Sequence, residues 1–143
     1  MNTLTRRSCM LAIAAFLIGL LAAPAWAQTE TVERTVKGQA GRDIRIGVFA
    51  SIGADCKAGP LPTIRLKQPP GHGAVTVKQG KLRTTNLRQC LAAEVPAFIV
   101  VYKSKPEFSG DDTVTLEVIN AGGKIQLQKI TVSVGSNSGG QPI

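Results

Sequence analysis

Thr113-Val114-Thr115-Leu116-Glu117-Val118-Ile119-Asn120-Ala121-Gly122-Gly123-Lys124-Ile125-Gln126-Leu127-Gln128-Lys129-Ile130-Thr131-Val132-Ser133-Val134 is two alternating runs joined by a turn. Val114, Leu116 and Val118 fall on every second residue, with Thr113, Thr115 and Glu117 between them. An extended chain with that pattern has one apolar and one polar face, the mark of a half-buried strand. Asn120 to Gly123 supplies a hairpin turn. The return run sets Ile125 and Leu127 on one face, then resumes one residue out of step at Ile130, Val132 and Val134. A β-bulge near Gln128-Lys129 accounts for that slip.

The same period recurs upstream. Thr31 to Lys37 reads as a weakly apolar first strand ended by Gly38 to Gly41, and Ile44, Ile46 and Val48 alternate with Arg45 and Gly47. Ser51 to Pro62 is a loop carrying Cys56, and Ile64 and Leu66 form a short strand stopped by Pro69-Pro70. Val75 and Val77 alternate with Thr76 and Lys78, and Gly80 is expected to turn the chain toward Lys81 to Thr85. Asn86 to Pro96 reads either as about two turns of helix capped by Asn86 or as a loop pinned by a disulfide. Ala97 to Lys103 is a nearly continuous apolar run, as in a strand buried on both faces. Seven or eight short strands with turns at this spacing, and no long helical period, predict an all-β sandwich or barrel.

Residues 1–27 have the composition of a cleavable signal peptide. Arg6 and Arg7 precede about fifteen almost wholly apolar residues, Cys9 to Ala23, and Ala25-Trp26-Ala27 gives a small-x-small cleavage site. A spanning helix needs roughly twenty apolar residues, so no transmembrane segment is expected after cleavage, and the location expected is periplasmic or secreted. The mature part, 28–143, holds fifteen lysines and arginines against nine acids, a net charge of +6. It divides into a domain at 28–134 and a flexible tail at 135–143. That length suits a single core.

Cys56 and Cys90 are the two cysteines left, and in an oxidising compartment they read as one disulfide. With no Cys-x-x-Cys spacing and one histidine, a metal site is the lesser reading.

Pro70-Gly71-His72-Gly73-Ala74-Val75-Thr76-Val77, Tyr102 with Pro106, Phe108, Gly110 and Asp112, and the closing Ile130-Thr131-Val132-Ser133-Val134 carry a resemblance. Together they resemble the bacterial Ig-like, cadherin-like domains of secreted and surface proteins, best over Pro69 to Val134. Two differences are plain: Pro106 stands four places after Tyr102 rather than two, and Val114 replaces an aromatic. The resemblance implies an Ig-like antiparallel β-sandwich and says little about a partner. Physically, Phe108 is expected under a loop, Gly110 at positive φ, and Asp111 and Asp112 as acceptors fixing the turn.

The inventory for chemistry is thin. A single histidine, His72, builds no triad and reads as an exposed turn residue, with a ligand-contact role as the alternative. Asp111, Asp112 and Glu107 are the calcium candidates, since cadherin-like modules often bind that ion, but they read first as a turn-capping group. Glu94, Glu107, Asp111 and Asp112 are the carboxylates available for glycoside hydrolysis, with nothing in the sequence placing two across a cleft. No catalytic residue and no cofactor is predicted. Basic density at Lys78, Lys81, Arg83 and Arg88 marks a candidate binding face for an envelope protein or an anionic envelope polymer. Nucleic acid is set aside because export and the lack of interleaved aromatics oppose it. The expected function is a non-enzymatic, exported Ig-like binding module of the cell envelope; the alternative is a small secreted inhibitor of a cell-wall hydrolase.

Overall fold

The computed structural model describes residues 29–85 and 88–136. The expected signal peptide lies outside them, as do 137–143 of the expected tail; Gly135 ends the last strand. Seven strands run through the described residues: β1 (Glu30–Gln39), β2 (Asp43–Phe49), β3 (Thr63–Gln68), β4 (Gly73–Arg83), β5 (Glu94–Ser104), β6 (Gly110–Ile119) and β7 (Ile125–Gly135). They form two sheets, ordered β1-β7-β6-β3 and β2-β5-β4. This is the strand order of an Ig-like sandwich, with the first strand moved across to the last. That pair, β1 with β7, is parallel and every other is antiparallel, so the all-antiparallel expectation fails at one ladder. Lys124–Glu30 and Lys129–Glu33 ion pairs flank it.

The alternating rows become the core. Val114, Leu116, Ile130, Val132 and Val134 from one sheet pack with Ile44, Ile46, Val100 and Tyr102 from the other. Their interlocking makes the two sheets a sandwich. Each such side chain is worth about 1.5–3 kcal/mol when fully buried. β5 is central in its sheet, and Pro96 lies beyond the end of β2, where only β4 flanks it.

Two sequence expectations are corrected, and an open choice between helix and loop is decided. β6 and β7 pair in unbroken register from Gly110↔Val134 to Ile119↔Ile125, so there is no bulge at Gln128-Lys129. The inward slot next to Ile130 belongs to Gln128, which is buried and donates from its amide to the Gln126 side chain. Bulges lie instead between Arg45 and Gly47 and between Leu66 and Gln68. Gly80 makes no turn, because β4 runs through it in register with β5. A Cβ there would stand 2.7 Å from the Ile99 Cδ1, so the glycine makes room for Ile99. Arg88 to Ala93 form turns and no helix, and Glu94 to Pro96 already belong to β5. The disulfide-pinned loop is the reading that holds.

Candidate functional site

The two ends of the sandwich are built differently. At one end the connections are short: 40–42, 69–72 and 105–109. Asp112, an inward residue of β6, ties the second of these, 69–72, to β5 and β6. Its carboxylate accepts hydrogen bonds from the Gly71 amide (2.9 Å), the His72 amide (2.8 Å), the Tyr102 hydroxyl (2.8 Å) and its own neighbour's amide at Thr113 (3.0 Å). Burial alone pushes the carboxyl pKa up, but the donors outweigh it and hold Asp112 below the usual aspartate value. Burial and the Asp112 charge push the Tyr102 phenol up.

Around this point His72 stacks on Phe108 with ring centroids 4.1 Å apart, and the Lys105 amide donates to the His72 carbonyl. Gly110 has φ +126°, as expected of it. Asp112 thus fixes a turn about forty residues away, while the turn just before it is closed by the Phe108 amide on the Lys105 carbonyl. Asp111 and Glu107 are exposed. With two donors on each Asp112 oxygen, that carboxylate has none to offer a cation, which removes it from the calcium candidates.

At the other end the connections are long, 50–62 and 84–93 beside the hairpin 120–124. The Cys56–Cys90 disulfide joins the two long loops. Thr84 closes the second, its amide and hydroxyl donating to the Ala93 carbonyl and its hydroxyl also to that of Cys90. Cys56 and Ala92 adopt positive φ, 61° and 63°, a conformation that costs a non-glycine residue on the order of 1 kcal/mol or more. In the second loop Leu91 is 66% exposed.

Along one side the sandwich is open. β3 and β4 are the outer strands of their sheets, on the same flank. Between them lies an apolar groove of about 420 Å³ lined by Leu61, Pro62, Thr63, Ile64, Val77 and Phe98. Val77 and Leu66 are each nearly half exposed there.

Of the candidate binding residues, three lie on the strand that borders this groove. Lys78, Lys81 and Arg83 lie on β4, and Arg88 lies in the stapled loop. His72 is at the opposite end of β4, against Phe108. Lys81 and Arg83 share a row with Val75 and Val77; opposite that row on β5, Tyr102 and Val100 are buried in the core, while Pro96 and Glu94, facing Lys81 and Arg83, are exposed. Lys78 points to the other face. Lys78 pairs with Asp43 (3.3 Å) and Lys81 with Glu94 (3.4 Å), all four side chains more than half exposed. Neither β3 nor β4 contains an acidic residue.

Sequence reasoning missed the groove and Leu91. The exposure of an apolar residue depends on which strand ends up outermost, and that is set by the topology. Among the described residues no cluster of three or more His, Cys, Asp or Glu is placed to hold a metal ion, and no helix is long and apolar enough to cross a membrane.

No known family profile matches the chain, and no curated protein matches it. Among solved structures, the solution structure of amebosin aligns with a TM-score of 0.40 at 6% identity, over 76% of this chain and 99% of that one. A likeness at that level carries no argument.

Proposed function

We propose that this protein is a non-enzymatic, exported binding module of the bacterial cell envelope, Ig-like in build, that engages its partner along β4. The observation that carries the reading is the β4 edge: eleven residues with, among the described residues, no partner strand on one side, three cations, no acid, and an apolar groove beside it. Exposed ion pairs such as Lys78–Asp43 and Lys81–Glu94 are worth about 0–1 kcal/mol, so both lysines are available to a partner's acids at little cost. Affinity capture from envelope extract tests this. A component should be retained by the native protein and lost from a Lys78→Glu/Lys81→Glu/Arg83→Glu variant. Retention by neither protein, or equal retention by both, across a range of salt, overturns it.

One observation favours a second reading, the inhibitor of a cell-wall hydrolase. A stapled loop with a protruding Leu91 has the shape that enters an enzyme cleft without paying much ordering entropy. Lysozyme-type activity that is unchanged by the added protein removes this reading.

A further inference from the structure

We infer that the flank between β3 and β4 takes an extended polypeptide segment that adds to the β4 edge as a fourth strand. Its apolar residues would fill the groove and its acids would meet Lys81 and Arg83. The inference rests on the binding role proposed above and names the kind of partner.

Main-chain groups along an outermost strand are an unspent set of donors and acceptors. Strand addition uses them for affinity and uses alternate side-chain positions for specificity. β4 runs Gly73 to Arg83, long enough for a strand of nine residues. Its groove-side row reads Val75, Val77, Gln79, Lys81, Arg83, as its pairing with Tyr102, Val100, Phe98, Pro96 and Glu94 of β5 requires. A segment paired antiparallel to β4 therefore needs two acids in alternate positions, a spacer, then two apolar residues in alternate positions. The apolar pair continues Val77 and Val75 over the groove, where Ile64 and Phe98 wait at its floor. The acids sit beside Arg83 and Lys81, with only Glu94 competing.

Two other docking modes fit less well. A second copy of β4 brings no acid, so no register gives Lys81 or Arg83 an opposite charge. The β3 edge is six residues long, is bulged between Leu66 and Gln68, and has Arg65 and Lys67 already committed to Glu117 at 3.7 and 3.4 Å.

The test is fluorescence anisotropy with a labelled nonapeptide. It has glutamate at its first and third positions, valine at its seventh and ninth, and serine or threonine elsewhere. The controls are a scrambled peptide, the same peptide with alternate amides N-methylated, and a short polyglutamate. The ordered peptide should bind at least about tenfold tighter than each control, a difference of about 1.4 kcal/mol. Val77→Glu should weaken it by a similar factor. Val77 is 45% exposed, so that variant should still fold, and its melting curve checks this. Equal binding of polyglutamate or of the N-methylated peptide would show charge attraction without strand addition. That result, an unaffected Val77→Glu variant, or no binding of the ordered peptide would overturn the inference. Envelope capture by the native protein is read separately, so a failure here with capture intact removes the strand-addition mode and leaves the binding role.

Discussion

Replacing Asp112 with alanine withdraws one acceptor from four donors at once. Three of these reach across the fold: the Gly71 and His72 amides close the turn into β4, and the fully buried Tyr102 hydroxyl comes from the opposite sheet. A hydrogen bond to a charged group contributes about 1.5–3 kcal/mol, and a buried donor left alone costs about 1–3 kcal/mol. The amides sit at exposed turn residues and recover water, so the losses do not add. A net cost of about 3–4 kcal/mol follows, a large share of the roughly 5–15 kcal/mol that holds a domain of this size. Urea unfolding with linear extrapolation measures it. In a Tyr102→Phe background the Asp112→Ala cost should fall by about 1 kcal/mol or more, because the stranded hydroxyl is gone. The sign with pH is fixed too. A carboxyl held below its ordinary pKa contributes stability that is present above about 3.9 and is lost as pH falls through its folded value. The gap between the native protein and Asp112→Asn should therefore narrow on acidification below about pH 4. A change under about 0.5 kcal/mol for Asp112→Ala, or a gap constant with pH, would refute the reasoning.

Reducing the Cys56–Cys90 bridge, which spans 34 residues, removes at most about 4 kcal/mol by chain entropy. Calorimetry with and without reductant should show a drop of many degrees; an unchanged melt contradicts it. Gly110→Ala forces a side chain onto φ +126°, and should cost about 1 kcal/mol or more in the same urea assay. Millimolar calcium should leave the melting temperature unmoved, since both Asp112 oxygens are occupied by donors; a calcium-dependent rise contradicts that.

The strands were legible because apolar alternation is a direct image of a half-buried sheet. That image fails where an inward residue is polar. Gln128 occupies an inward slot, and counting only apolar residues turned its unbroken strand into an apparent slip. Asp112 was visible as an acceptor, but its inward place beside Val114 and its hold on the Gly71 and His72 amides, about forty residues off, were not. The β2 bulge is the converse case. Ile44, Ile46 and Val48 alternate cleanly, yet Val48 pairs with Ile99 on the outer row while Phe49 turns inward. The parallel β1–β7 ladder left no trace, because direction of pairing is a property of neither strand alone. At the candidate site the cationic density was visible in the residues themselves. That β4 is outermost, and that Lys81 and Arg83 share its groove-side row while Lys78 does not, followed only once the sheet order was known.

Amide hydrogen exchange of the protein, with and without a component captured from envelope extract, bears most directly on the proposed role of β4. A partner seated on β4 brings new protection along Gly73 to Arg83. Protection confined to the loop from Arg88 to Ala93, or no change in β4 while the component is bound, would contradict it.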